Sequence, residues 1–246
     1  MSQLLAVTRL TVDQFRNHTA RTLRLDPRPV CLVGPNGIGK TNLLEALSIL
    51  LPGRGLRGAE LAEMAQGGPE AAVTRPRAWT VAAELQTPDG PVQLGVAAER
   101  GPDGRLKRIS RRDGQAVTGT ELARLLRLSW LTPAMDRLFV GPGGDRRRFL
   151  DRLALAIAPE HGTAVGAYER ALRERQRLLE DGRPNASWLA GLEREMAAHG
   201  AAAAAARVAM VAALVQEIGQ REGTFPAAGL ALQGTLEAAL AAGQPS

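Results

Sequence analysis

The chain has 246 residues, 45% of them hydrophobic and 23% charged, with a net charge of +6. That length and apolar content suit one large or two small domains with a real core, and they exclude disorder over most of the chain. One cysteine, Cys31, excludes a disulfide framework or a thiolate metal cluster, and His18, His161 and His199 are too far apart for a zinc pattern. Arg9 and Asp13 interrupt any signal peptide at the start. The most apolar run, 201–215, contains Arg207 and is short of the ~20 residues of a membrane span. These features point to a soluble, cytoplasmic protein. A basic surface permits a polyanionic partner. With only 3% aromatics, contacts to nucleic acid should be mainly to phosphates rather than by base stacking.

In chain order, Leu4–Phe15 alternates loosely and predicts a strand, Thr22–Leu25 a second, and the apolar run Val30–Val33 a buried third. A glycine loop follows. Thr41–Leu51 carries leucines at helical spacing and stops at Pro52-Gly53. A short helical patch is expected at Ala59–Met64. Trp79–Gln86, Val92–Glu99 and Leu106–Arg111 read as a β-meander joined by Pro88-Asp89-Gly90 and Pro102-Asp103-Gly104, with a tight turn at Asp113-Gly114. Glu121–Leu128 predicts a short helix and Trp130–Leu131 opens an extended segment. From Asp145 the pattern is helical: Arg146–Ala158, Gly162–Leu179, a turn at Asp181-Gly182-Arg183-Pro184, and a long helix over Trp188–Gly219. The last two suit an antiparallel hairpin. Leu230–Gln233 is a candidate returning strand, after which no element is evident.

The strongest motif is Gly34-Pro35-Asn36-Gly37-Ile38-Gly39-Lys40-Thr41, a complete G-x-x-x-x-G-K-[ST] between an expected strand and an expected helix. Glycines let the backbone curl so that successive amides face phosphate oxygens, and the helix N-terminus adds its positive dipole end. Lys40 would neutralise the terminal phosphates of ATP, and the Thr41 hydroxyl would ligate Mg²⁺. Lys40 is one of only two lysines in the chain, beside Lys107. Hydrolysis needs a second carboxylate at the end of an apolar strand. The nearest candidates fail, because Pro133 breaks the run to Asp136 and Phe149-Leu150-Asp151 falls in a helix. Cys31, in the expected buried strand, reads as a small buried hydrophobe.

The P-loop, together with Leu10-Thr11-Val12-Asp13-Gln14-Phe15-Arg16-Asn17 and the run Gly141-Pro142-Gly143-Gly144-Asp145-Arg146-Arg147-Arg148-Phe149-Leu150-Asp151, resembles RecF, the bacterial recombination-repair ATPase family. The resemblance covers essentially the whole chain. It implies an α/β P-loop head like those of SMC, Rad50 and ABC ATPases, with a mixed sheet and an inserted helical arm. The expected division is residues 1–134 for the N-terminal lobe, 135–228 for the arm and 229–246 for a return into the head. Family members are usually longer, and their C-terminal part carries the signature motif and Walker B carboxylates, absent here. The chain therefore reads as an N-terminal portion.

The resemblance further implies ATP-dependent dimerisation on duplex or gapped DNA, with RecR and RecO as partners, in recombinational repair, replication restart and SOS induction. The family is a weak DNA-stimulated ATPase, and this chain alone should hydrolyse almost nothing. It also places Arg16 and Asn17 near the nucleotide and makes Arg54 and Arg57, in the glycine-rich loop after the P-loop helix, candidates to face DNA. In the meander, Arg105 and Lys107 share one strand face and Arg108 lies on the other; all three could bind phosphates, or form a solvated edge protected by charge. Arg146–Arg148 at a helix start need an anionic partner, such as Asp145 or Asp151. A rival reading is a P-loop phosphotransferase for a small molecule, which leaves Phe15-Arg16-Asn17 and the arm unexplained. A third is a nonfunctional RecF remnant.

Overall fold

The computed structural model describes residues 5–182, 185–220, 223 and 226–242. Leu4 of the first expected strand, Arg183-Pro184 of the expected arm turn, and the last four residues of the expected return lie outside them. The chain divides after Trp130 into two compact units.

The first unit is built on a six-stranded sheet: β1 (Ala6–Phe15), β2 (His18–Arg24), β3 (Arg77–Thr87), β4 (Gly90–Arg100), β5 (Leu106–Arg112) and β6 (Gln115–Ala116). Their order across the sheet is β2-β1-β3-β4-β5-β6, every pair antiparallel. The meander follows the sequence closely, because its turns are set by local chemistry. Asp113 and Gly114 both sit at positive φ, as a two-residue hairpin turn requires. Strand alternation sends Leu10 and Val12 of β1 and Trp79, Val81, Ala83 and Leu85 of β3 into one core, and Gln14, at φ 52°, interrupts the alternation so that Phe15 joins them. Phe15 and Trp79 meet edge to face at 5.4 Å, and the Trp79 indole donates to the Leu61 carbonyl at 2.7 Å. Helix α1 (Lys40–Ser48) lays Leu43 and Ala46 on that core, with Ile49 and Leu50 just beyond it. Helices α2 (Gly68–Val73) and α3 (Gly119–Leu125) complete the unit. Thr118 and Glu121 form a reciprocal capping box at the start of α3.

Three local expectations are corrected. Val30–Val33 is not a strand: Val33 is 87% exposed and Cys31 is exposed, not buried. Among the described residues no strand lies beside this run, so its backbone has no ladder to join. For the same reason the sheet formed here is wholly antiparallel, where a mixed one was expected. Ala59–Met64 is a series of turns, and the helix in this stretch is α2.

The second unit is helical. A 3₁₀ turn at Pro133–Arg137 leads to α4 (Gly143–Ala154), α5 (His161–Glu180), α6 (Ala186–Gln220) and α7 (Thr235–Ala241). Helices α5 and α6 form the expected hairpin and bury Ala171, Leu192, Ala203 and Ala204. No strand forms at Leu230–Gln233; the final segment instead makes α7, which packs on α6. Helix α6 is long and apolar enough to cross a membrane by length and composition. Arg207, midway along it, is ion-paired to Asp151 of α4 and Glu237 of α7.

Candidate nucleotide site

The P-loop motif occupies the turn into α1. Gly39 is the residue before the first turn of the helix, at φ +102°, with Gly34 and Gly37 also at positive φ. Gly39 is required on two counts. Its φ is one that L side chains rarely adopt, and a Cβ there would lie 2.4 Å from His18 Nε2 and 2.5 Å from Asn17 Oδ1. The loop is thus braced by the tip of the β1–β2 hairpin. Lys40 Nζ donates to the carbonyls of Gly34 at 2.6 Å and Pro35 at 2.8 Å, so the ammonium lies over the loop. Thr41 is exposed in the first turn of α1. A Cβ on Gly37 would meet nothing within 4 Å, which leaves open space at the middle of the loop. A helix N-terminus, glycine amides, an ammonium and a hydroxyl form a donor set suited to a phosphate chain with its cation.

Arg16 and Asn17 form the hairpin turn, with Phe15 paired to His18 across it. Asn17 reaches the P-loop directly: its Nδ2 donates to the Gly37 carbonyl at 3.0 Å. His18 Nε2 lies 3.3 Å from the Gly39 carbonyl. Arg16 turns to the other side. Its backbone is left-handed at φ 54°, and its guanidinium grips Glu45 of α1 from Nε at 2.8 Å and Nη2 at 2.5 Å, while Nη1 donates to the Glu63 carbonyl. These three bonds and the Arg16 N–H to Met64 O bond at 2.7 Å hold an otherwise unfavourable backbone angle in place.

Glu45 is fully buried and also receives Arg57 Nη1 at 2.8 Å. Arg57 Nη1 additionally donates to Asn42 Oδ1 at 2.7 Å, and Asn42 Nδ2 donates to Asn17 Oδ1 at 2.7 Å. Arg16, Asn17 and Arg57 therefore converge on the P-loop helix. Sequence reasoning missed Asn42, Glu45 and His18. Asn42 directly follows the motif, and Glu45 is a carboxylate among leucines within a helix, but neither pattern names a partner across the fold.

The remaining basic candidates separate. Arg54 is exposed and paired with Glu60 at 2.8 Å. Arg105 and Lys107 are exposed at and before β5, Lys107 beside Asp103. Arg108 points inward. Its Nη2 donates to the carbonyls of Ile49 and Leu51 and its Nη1 to that of Gly53, closing off the C-terminal end of the P-loop helix. Burial pushes its pKa down to about 10. In the helical unit, Arg148 pairs with Asp145, and Arg146 donates to the Gly141 carbonyl at 2.8 Å. Asp151 joins Arg207 and His161. Burial raises the Asp151 pKa, but the hydrogen bonds from His161 and Arg207 outweigh it and hold the carboxyl below its usual value.

A family profile described as "AAA domain, putative AbiEii toxin, Type IV TA system" matches residues 30–75. The chain is 45% identical over 233 residues to the DNA replication and repair protein RecF of Rhizobium meliloti (strain 1021), covering 94% of the chain and 61% of that protein. It is 44% identical to RecF of Mesorhizobium japonicum, over 94% of the chain and 60% of that protein. Among solved structures, it superposes on the recombination mediator protein RecF of the RecFOR pathway, in its ATPrS form, with a TM-score of 0.73 at 20% identity. That match covers 88% of the chain and 57% of the solved one. The ATP form gives a TM-score of 0.71, also at 20% identity. The chain spans about three fifths of the length of the curated relatives it matches, and the fold is that of a RecF P-loop head. Over nearly its whole length the chain is RecF-like.

Proposed function

We propose that this chain is the N-terminal, nucleotide-binding portion of a RecF-type protein that binds ATP and, in response, duplex or gapped DNA during recombinational repair. The observation that carries the reading is the loop Gly34–Thr41, with Lys40 Nζ on the Gly34 and Pro35 carbonyls. An arriving phosphate would exchange those neutral acceptors for charged ones, which bind an ammonium more strongly. Pro35, Asn36 and Ile38 complete the loop around the phosphates. Mg²⁺ would be held by the Thr41 hydroxyl and the nucleotide's own oxygens and would screen the phosphate charge. Among the described residues no group of three or more acidic, His or Cys side chains could hold a metal alone. On the RecF resemblance, the carboxylate for turnover is expected from the C-terminal part that the longer relatives carry, so this chain by itself should hydrolyse almost nothing.

DNA contact falls to the exposed cations Arg54, Arg105 and Lys107. Arg57 contributes only through the part of its side chain left exposed beside Glu45, and the half-buried Arg108 serves the P-loop helix. ATP-driven pairing of two heads, association with RecR- and RecO-type proteins, a place in the SOS response and a cytoplasmic location follow from the RecF resemblance. The test is binding of a labelled duplex, with and without ATP–Mg²⁺, by this chain, its Lys40→Ala variant and a chain extended to full relative length. ATP-stimulated, Lys40-dependent binding by the extended protein is expected. Failure of both lengths to bind DNA overturns the reading, and robust ATP turnover by the 246-residue chain overturns the assignment of hydrolysis to residues beyond it.

A further inference from the structure

One chain of hydrogen bonds runs from the P-loop backbone to a buried carboxylate. The Gly37 carbonyl accepts from Asn17 Nδ2 at 3.0 Å; Asn17 Oδ1 accepts from Asn42 Nδ2 at 2.7 Å; Asn42 Oδ1 accepts from Arg57 Nη1 at 2.7 Å; and Arg57 Nη1 also donates to Glu45 at 2.8 Å. Every amide in this series uses its oxygen and nitrogen in only one way. Arg57 can only donate, so it fixes Asn42 with its oxygen outward and its NH₂ toward Asn17. Asn42 in turn fixes Asn17 with its NH₂ toward Gly37. Glu45, 0% exposed and doubly held by Arg16, is the anchor.

The geometry points to a positioning relay: Asn17, Asn42 and Arg57 set the orientation of the Gly37–Ile38 peptide and thereby its readiness to bind phosphate. In a trans peptide the carbonyl and the following N–H point in opposite directions. The described residues contain no cis peptide. Holding the Gly37 carbonyl toward Asn17 therefore turns the Ile38 N–H to the opposite side. There it makes only a long, weak contact with the Pro35 carbonyl at 3.5 Å, one that an anion would readily displace. The neighbouring bond from His18 to the Gly39 carbonyl braces the next turn in the same sense. None of the three relay residues need touch the nucleotide. Their effect is on preorganisation: without the relay, Gly37 (φ +83°) is free to rotate its peptide and must be ordered on binding.

This inference rests on the nucleotide-binding reading, and its test keeps the two apart. The readouts are the dissociation constant of a fluorescent ATP analogue with Mg²⁺ and the amide resonance of Ile38 in the nucleotide-free chain. Asn42→Ala loses its bonds to Asn17 and Arg57 but gains helix propensity, so the chain should still fold. It should weaken the analogue about threefold to tenfold, the value of about one hydrogen bond. It should also shift the Ile38 resonance. Asn42→Asp keeps the acceptor for Arg57 but loses the donor to Asn17, so it should weaken binding at least as much as Asn42→Ala with an unchanged melting temperature. In the double variant with Asn17→Ala, the losses should not multiply, because both changes break one chain. An unshifted Ile38 resonance, wild-type affinity in Asn42→Ala while Lys40→Ala abolishes binding, or fully multiplicative losses each overturn the relay alone. Absence of binding by the wild-type chain overturns the nucleotide reading, and the Ile38 resonance still decides whether the relay sets the peptide.

Discussion

Replacing Arg108 by alanine separates a structural arginine from a DNA contact. Its guanidinium donates to three carbonyls at the end of the P-loop helix, those of Ile49, Leu51 and Gly53. Bonds from a charged donor contribute roughly 1.5–3 kcal/mol each. Against them stands the cost of burying the charge, which lowers the pKa from the ordinary guanidinium value to about 10; at about 1.36 kcal/mol per unit this is about 3 kcal/mol. Gly53 is exposed and can exchange its partner for water, whereas Ile49 and Leu51 are buried. The expected loss for Arg108→Ala is thus about 3 kcal/mol, from two orphaned carbonyls and a lost charged donor. For a unit of this size that lowers the melting temperature by roughly 10 °C. The assay is thermal unfolding followed by tryptophan fluorescence in a Trp188→Phe background. The remaining tryptophans, Trp79 and Trp130, both lie in the first unit. Duplex affinity is measured in parallel, well below the melting temperature. If Arg108→Ala melts like the parent while its DNA affinity falls, the guanidinium works outward and the capping argument is wrong.

Lys107→Ala should give the reverse pattern: wild-type melting, weaker duplex binding at all sequences, and a salt dependence reduced by about one phosphate contact. A measured slope equal to that of the parent would remove Lys107 from the interface. Glu45→Gln sets an amide NH₂ against the Arg16 guanidinium in a fully buried site, and it should destabilise the first unit by about 3 kcal/mol in urea unfolding; a loss below about 1 kcal/mol would mean the pair is replaceable. Asp151→Asn removes the carboxylate shared by Arg207 and His161 and should cost the helical unit about 2–3 kcal/mol, read by circular dichroism. The depressed pKa of Asp151 fixes the pH dependence: its stabilisation is complete above the unfolded-state value of 3.8 and disappears as pH falls through the lower folded-state value. Acid unfolding of Asp151→Asn should therefore be flatter than that of the parent below pH 4, and identical slopes would contradict the assignment.

The sequence legibility of this chain follows how local each cause is. The P-loop glycines and the Asp113-Gly114 turn are each set within a few residues, and each lies where its pattern placed it; the Thr118–Glu121 capping box is equally local, but sequence reasoning missed it, and it starts α3 two residues before the expected Glu121. The α5–α6 hairpin was equally legible, because two long runs of good helix formers joined by a short connection have few alternatives. Val30–Val33 was not, because an apolar β-branched run reports a strand's preference for burial but not whether a neighbour is present to pair with it. Within the site, Gly34–Thr41 was readable as a spacing. Asn42 and Glu45 were not, since their meaning depends on Arg16, Asn17 and Arg57 arriving from two other segments.

Basic residues were the least legible of all, and Asp151 explains why. In sequence, Arg146–Arg148, Asp151 and Arg207 are indistinguishable from surface charges of the kind that meets DNA or a partner. In the fold, Asp151 accepts from Arg207 Nε at 2.7 Å and Nη2 at 3.1 Å and lies 2.8 Å from the buried His161, while Arg207 Nη1 reaches Glu237 at 3.1 Å. An ionised carboxylate can only accept, so His161 donates from Nε2. One polar cluster thereby joins α4, α5, α6 and α7, the elements that the apolar but poorly specifying alanines of 201–206 would otherwise let slide. Directional bonds fix a register that small, uniform side chains do not. The same division of labour runs through the first unit. Arg16 holds the P-loop helix through the buried Glu45 and Arg108 closes its C-terminal end, while Arg54, Arg105 and Lys107 remain at the surface. An arginine count therefore overstates the charge this fold leaves at its surface, and under the proposed function the salt slope of duplex binding should reflect the exposed cations alone.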